Sequence, residues 1–142
     1  MSELARIETV VVLQTVELLS SCNAEQILGI SAITQQRLFP SGETIYREGD
    51  PAEALYFVVR GSVRVKPSNG QDRSLGPGEP FGVTEILSGR LRSGSATVEE
   101  ETLVLLIEAE DFFDLLANNI EIVKALFRQL LEKDPLQERS MA

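Results

Sequence analysis

The sequence predicts a mainly β domain with flanking α-helices: an antiparallel jelly-roll or β-roll sandwich, with helices before it and two helices after it. Two observations support this fold class. Residues 40–107 hold 9 of the 10 glycines and 5 of the 6 prolines, a density that is typical of short strands joined by tight turns. The segments on either side instead repeat apolar side chains at helical spacing.

One domain is expected over residues 1–142, because this length lies near the usual size of a single domain. Its apolar content of 43% and charged content of 25% are typical of a globular protein with one core. The predicted parts, in order, are N-terminal helices over 1–32, the β-roll over 33–108, C-terminal helices over 109–134 and a tail over 135–142.

The N-terminal part is predicted to be helical. Asn23 and Gln26, three residues apart, form a capping-box pattern that predicts the start of a short second helix. Cys22 lies just before this cap, and we interpret it as a small buried apolar residue. The predicted apolar face of the first turns consists of Ile7, Val10, Val11, Leu13, Leu18 and Leu19.

Short strands are predicted in the middle of the chain. Asn69-Gly70 between two of them is a hairpin signal. Six or more short strands at a spacing of about ten residues are typical of a jelly roll or small barrel. The predicted strands are Thr44–Arg47, Leu55–Arg60, Ser62–Lys66, Gln71–Leu75, Ser95–Glu99 and Leu103–Glu108.

Two helices are predicted at the C-terminal end. Asp111–Ala117 is a short amphipathic segment, and a longer helix should follow it and end before Pro135. The apolar residues of the longer helix recur at i, i+3 or i+4, and i+7. They are Ile120, Val123, Phe127, Leu130 and Leu131.

The composition excludes most catalytic chemistry. With no histidine, the chain has no imidazole base, no Ser-His-Asp or Cys-His nucleophile and no histidine-ligated metal. One cysteine excludes an intrachain disulfide and a cysteine-rich metal site. We therefore predict that the protein is not an enzyme and has no catalytic residue, metal site or cofactor.

The net charge of −9 argues against nucleic acid as a partner, because nucleic-acid-binding domains carry a basic surface. It leaves a small anionic ligand open, since one local pocket can oppose the overall charge. No apolar run approaches the ~18 residues of a membrane span, and the N-terminus lacks the pattern of a signal peptide. We expect a cytoplasmic protein without membrane contact of its own.

Five sequence motifs, taken together and in this order along the chain, resemble those of a known family. They are Gly42–Asp50 (GETIYREGD), Leu55–Val65 (LYFVVRGSVRV), Leu75–Gly82 (LGPGEPFG), Ala96–Val98 and Ile107–Phe112. Together they resemble the cyclic nucleotide-binding domain family, of the catabolite-activator and protein kinase A regulatory-subunit type, whose second motif is described as a hairpin. The resemblance implies a regulatory domain for signal transduction, which binds cyclic AMP, cyclic GMP or a related small anion and signals through its C-terminal helix.

The phosphate-binding cassette of that family departs from its pattern here. In the family a glutamate accepts a hydrogen bond from the ribose and an arginine holds the cyclic phosphate, but Val83 stands at the glutamate position. Glu85, two residues later, is expected to point to another side. Counting forward from Gly82 makes Arg92 the arginine, whereas counting back from Ala96–Val98 puts Gly94 there. The resemblance implies as ligand-binding residues Phe81, Gly82, Val83, Thr84, Glu85, Arg92, Ser93, Ser95, Ala96 and Thr97.

Two functions follow from this reading. The first is a sensor that binds a small anion such as a cyclic nucleotide and acts on an effector domain or a larger parent protein, with the last helix as a lid. The second is a degenerate module that binds no nucleotide and acts in protein–protein contact or as a homodimer, which Val83 and the disturbed arginine spacing favour. The acidic segment Glu99–Glu101 is predicted to be a solvated hairpin turn without metal.

Overall fold

Two four-stranded antiparallel sheets face each other in the computed structural model, which describes residues 4–132. The strand orders are β1-β8-β3-β6 in the first sheet and β2-β7-β4-β5 in the second. The strands are β1 (Gln35–Phe39), β2 (Thr44–Tyr46), β3 (Ala54–Arg60), β4 (Val63–Pro67), β5 (Arg73–Leu75), β6 (Pro80–Phe81), β7 (Gly94–Val98) and β8 (Thr102–Glu108). The predicted fold class, a mainly β sandwich with flanking helices, is confirmed.

Five α-helices and a 3₁₀ turn flank or interrupt the sheets within the described part of the chain. They are α1 (Arg6–Gln14), the 3₁₀ turn (Glu17–Leu19), α2 (Ala24–Ala32), α3 (Val83–Ser88), α4 (Ala109–Ala117) and α5 (Ile120–Glu132). The capping box at the start of α2 is confirmed, because the Asn23 side chain accepts from the Gln26 amide at 2.9 Å. The predicted tail over 135–142 lies outside the described residues.

All six predicted strands are present, with ends that differ by at most two residues. Two strands were not predicted. β1 is an edge strand whose side chains are mostly polar and exposed, so it lacks an apolar signal. β6 has two residues and forms because it pairs with β3, a long-range contact that no local pattern indicates.

Two predicted hairpins are wrong. β3 and β4 lie in different sheets, and Gly61 between them has φ +100°. A Cβ at Gly61 would lie 2.6 Å from the Glu101 carbonyl oxygen, so only glycine fits this crossing. The segment Glu99–Glu101 likewise carries the chain from β7 to the other sheet. The β4–β5 pair around Asn69-Gly70 is a true hairpin.

The core has two parts, on opposite faces of the first sheet. Tyr56 and Val58 of β3 face the second sheet, whereas Leu55 and Phe57 face the helices. Because successive side chains of a strand alternate, a strand covered on both faces reads as one apolar run. This arrangement explains the unbroken apolar stretch of β3 and places the helices against the back of the β-roll.

The apolar faces predicted for the outer helices are only partly buried. Ile7 and Val11 of α1 are exposed. On α5 the predicted stripe lies outward, with Ile120 at 63%, Phe127 at 59% and Leu131 at 50% exposure. The side chain of Leu130 lies outside the described part. The residues of α5 that are buried instead are Ile122, Ala125, Leu126 and Gln129.

This difference on α5 has a simple origin. Both sides of the helix carry apolar residues, so the sequence period fixes the helix but not which side packs. The buried side packs against the 3₁₀ turn, where Leu18 and Leu19 join Ile122 and Leu126 in one apolar cluster and the Ser20 hydroxyl donates to Gln129 Oε1 at 2.7 Å. Within residues 4–132, no helix combines the length and apolar character that a bilayer span requires.

Candidate ligand-binding site

A short helix begins where the first sheet ends. β6 pairs with β3, with Phe81 opposite Tyr56, and the chain then turns at Gly82 with φ +82° into α3. Glycine adopts this left-handed conformation at little cost, which allows α3 to start directly at the sheet edge. α3 ends in a second left-handed glycine, Gly89, with φ +69°.

A cavity of about 560 Å³ lies beside α3. The inner face of the second sheet and the 3₁₀ turn form its other walls. On the α3 side it is lined by Phe81, Gly82, Val83, Thr84, Glu85, Ser93, Gly94 and Ser95. On the other sides its lining includes Glu17, Leu18, Tyr46, Val65, Lys66, Arg73, Leu75 and Glu79.

The structure brings most of the residues implied by the cassette together around this cavity. Three do not line it. Arg92 is buried at 3% exposure behind the wall, and Ala96 is fully buried between the sheets. Thr97 lies in β7, opposite Thr44 and Arg64.

Arg92 is held by the protein itself. Its Nη1 donates to the Gly82 carbonyl oxygen at 2.7 Å and to Glu85 Oε1 at 3.1 Å. Its Nη2 donates to the Ala54 carbonyl oxygen, and its guanidinium carbon lies 4.1 Å from the centre of the Tyr46 ring. Such a position over an aromatic face is favourable for a cation. The guanidinium therefore ties α3 to the start of β3.

Glu85 stands between Arg92 and the cavity. Its side chain is 12% exposed, against 1% for Arg92. Oε1 accepts from Arg92, and Oε2 accepts from the Ser93 hydroxyl at 2.8 Å. Glu85 and Val83 both line the cavity, and the Glu85 carboxylate accepts from Arg92 and Ser93.

Gly94, the residue that the backward count aligns with the cassette arginine, lies in a tightly packed position. A Cβ at this residue would lie 2.3 Å from the Lys66 carbonyl oxygen, because β7 begins here opposite Pro67. No larger side chain fits there. Arg92, ten residues after Gly82, donates to Gly82 and Glu85 at the start of α3, and β7 begins at Gly94.

An aromatic cluster supports this end of the cavity. The Tyr56 and Phe81 rings stack with centroids 4.9 Å apart, and Tyr46 lies 6.3 Å from Phe81. Burial raises the pKa of Tyr46 to about 12, although the positive charge of Arg92 acts in the opposite direction. Burial also raises the pKa of Tyr56. Both phenols therefore stay neutral at physiological pH.

Sequence reasoning missed the opposite end of the cavity, where Arg73 lies. Arg73 is opposite Val65, and Leu75 is opposite the fully buried Val63. Residues two apart on a strand share a face, so Arg73 lies on the inner face with Leu75. The buried Leu75 two positions later was the available signal. Arg73 is exposed, and no ion pair to it is found among the described residues.

The wall of the cavity also touches the apolar core. Leu18 and Val83 line the large cavity and also a small apolar void of about 20 Å³. The void is bordered in addition by Phe112, Leu115, Ile122 and Leu126 of α4 and α5. No group of three or more His, Cys, Asp or Glu side chains positioned for a metal ion occurs between residues 4 and 132.

Comparisons with known proteins agree with this geometry. Residues 36–119 match the family model of the cyclic nucleotide-binding domain. The chain is 39% identical over 111 residues to the cyclic AMP receptor protein of Thermus thermophilus, covering 70% of this chain and 50% of that protein. It is 34% identical over 97 residues to a cyclic nucleotide-gated potassium channel of Mesorhizobium japonicum, covering 68% of this chain and 27% of the channel.

Solved structures share the fold. The regulatory domain of Toxoplasma gondii protein kinase A, crystallised with cyclic AMP, superimposes with a TM-score of 0.75 at 19% identity, covering 84% of this chain and 48% of that chain. The chain spans half or less of the length of the two curated relatives. Since the family model covers more than half of the 142 residues, the chain belongs to the cyclic nucleotide-binding domain family.

Proposed function

We propose that this chain is a non-catalytic sensor that binds a small anion, cyclic AMP or cyclic GMP, in the cavity beside α3. One observation carries the proposal: the segments that resemble the phosphate-binding cassette, 81–85 and 93–95, form one wall of a 560 Å³ cavity. A cavity of this volume lies in the usual range for small-ligand sites, about 300–1,000 Å³.

The polar groups of the cavity fit a ligand of this kind. The Ser93 hydroxyl and the Arg73 guanidinium are donors on opposite walls, and Phe81 and Val83 supply apolar surface for a base. The relatives named for cyclic AMP and cyclic nucleotides support the same ligand class.

The signal would leave the cavity through the 3₁₀ turn rather than through a closing lid. None of the α5 residues whose side chains the structure describes lines the large cavity, but Leu18 borders both the cavity and the void against α5. Ser20, next to this turn, holds Gln129 of α5. A ligand that moves Leu18 or Val83 would therefore shift the packing of α5, which would act on an effector domain or parent protein in the cytoplasm.

Calorimetric titration with cyclic AMP and cyclic GMP tests the proposal, with 5′-AMP as the ring-opened control. Saturable binding of at least one cyclic nucleotide, together with altered hydrogen exchange in α5, is the expected result. Absence of heat and of any thermal shift at millimolar ligand would contradict the sensor function. Binding without a change in α5 would contradict only the proposed route of the signal.

The degenerate, non-binding module is the second candidate, because Arg92 is already enclosed by protein partners. In this case the exposed apolar stripe of α5 would serve a protein contact or a homodimer. Sedimentation equilibrium tests this function with Phe127→Glu, and with Phe113→Glu on α4 as a control of similar exposure. If the wild type is monomeric and binds no nucleotide, contact with a different protein is the one remaining function of the non-binding module.

A further inference from the structure

We infer that Glu85 is an internal counter-anion of the cassette: its carboxylate engages the two side chains that would hold the ligand's phosphate, so the ligand binds only after Glu85 has left them. The inference rests on the proposed function. Its starting point is that Arg92 and Ser93, consecutive in the cassette, both donate to the one carboxylate, at 3.1 and 2.8 Å.

The order of the groups shows what a ligand would meet first. Glu85 and Ser93 line the cavity, but Arg92 does not, and its side chain is only 1% exposed. An anion that enters from the cavity therefore faces the Glu85 carboxylate before it reaches the guanidinium. Two negative charges at one guanidinium repel each other, so the Glu85 carboxylate disfavours a phosphate there.

Glu85 is the exchangeable partner of Arg92. The other acceptors are backbone carbonyl oxygens of Gly82 and Ala54, which the α3 start and β3 hold in place. A carboxylate on a rotatable side chain at the cavity wall can turn toward solvent instead. In addition, Arg92 Nε is buried and has no hydrogen-bond partner among the described residues, so its present partners do not satisfy the guanidinium completely.

The consequence is a specific effect on anionic ligands. Removing the charge of Glu85 while keeping its shape should raise the affinity for a cyclic phosphate and leave the affinity for a neutral nucleoside unchanged. A residue that merely fills the cavity would change both affinities alike. This difference separates an electrostatic role from a steric one.

The test is calorimetric titration of the full chain with cyclic AMP and with adenosine, for wild type, Glu85→Gln and Glu85→Ala. Glu48→Gln is the matched control, because Glu48 also accepts from a serine hydroxyl, at 2.7 Å from Ser68, and does not line the cavity. We expect an at least tenfold gain in cyclic AMP affinity for Glu85→Gln, less than twofold for Glu48→Gln, and no gain for adenosine. Thermal melting establishes that each variant is folded.

Each outcome decides the question. An unchanged or lower cyclic AMP affinity in folded Glu85 variants, or an equal gain for adenosine, overturns the inference and leaves the sensor function intact if the wild type binds. Binding by Glu85→Gln but not by wild type supports the inference and replaces the sensor function by the non-binding module. No binding by any form overturns both. A complex of wild type with cyclic AMP in which Glu85 keeps both contacts also overturns the inference.

Discussion

The two ends of the cavity hold their arginines in opposite ways. At the α3 end, Arg92 is buried, bonded to two carbonyl oxygens and a carboxylate, and stacked over Tyr46. At the β5 end, Arg73 is exposed on the inner face of its strand. One arginine therefore stabilises the fold, and the other is accessible to a ligand. The surroundings of each residue, rather than the residue type, set its role.

Arg92→Ala should have the largest effect. The substitution leaves the Glu85 carboxylate and two carbonyl oxygens without their donor, and breaking a buried ion pair costs about 3–5 kcal/mol. Urea denaturation should show this loss in the free energy of unfolding. Arg90→Ala is the control, because Arg90 is exposed and its Nε bonds only the hydroxyl of Ser88 at the end of α3, at 3.0 Å. Equal losses in both variants would show that Arg92 does not lock α3.

Gly94→Ala should come next, because a Cβ would lie 2.3 Å from the Lys66 carbonyl oxygen. Overpacking against a fixed backbone costs about 1–3 kcal/mol. Gly76→Ala, after β5, is the control, since no atom lies within 4 Å of its Cβ position. Urea denaturation should show a loss for Gly94→Ala and little change for Gly76→Ala. A stable Gly94→Ala would mean that β7 can move away from β4.

Arg73→Gln should leave stability within about 0.5 kcal/mol, as expected for an exposed site. If the β5 end meets the ligand, cyclic AMP affinity should fall about tenfold, which is about 1.4 kcal/mol. Arg64→Gln is the control with the same charge change, because Arg64 pairs with Glu99 outside the cavity at 2.9 Å. An equal loss of affinity in both variants, measured by calorimetry, would indicate a general charge effect and not contact with Arg73.

One further effect appears only at high pH. The pKa of Tyr46 is raised to about 12 in the folded protein, whereas an unfolded tyrosine titrates near 10. Between these values the unfolded state has lost its proton and the folded state has kept it, so stability falls as pH rises from about 10 to about 12. Urea denaturation across this range should show a shallower fall for Tyr46→Phe. If the free energy of unfolding falls equally in wild type and in Tyr46→Phe, a group other than Tyr46 causes the pH dependence.

Local patterns were sufficient for most of the fold. Asn23 and Gln26 predict the start of α2, and short runs bounded by turn residues predict six strands. These signals are short-range, since helix capping and turn residues depend on neighbours a few residues away. The same patterns did not indicate which strands pair, so the segments around Gly61 and Glu99–Glu101 were read as hairpins although they connect the two sheets.

The sequence by itself determined the fold class, the family resemblance and the absence of histidine chemistry. Only the tertiary structure decided the roles of Arg90 and Arg92, two residues apart in one loop. The Arg92 amide donates to the Asp50 carbonyl oxygen at 2.8 Å, and its carbonyl oxygen accepts from the Gly49 amide at 2.9 Å. These long-range backbone contacts fix the position of Arg92, so that its buried side chain reaches Glu85. Contacts between distant segments exist only after folding. No local sequence pattern could therefore show that Arg92 is already paired with the Glu85 carboxylate.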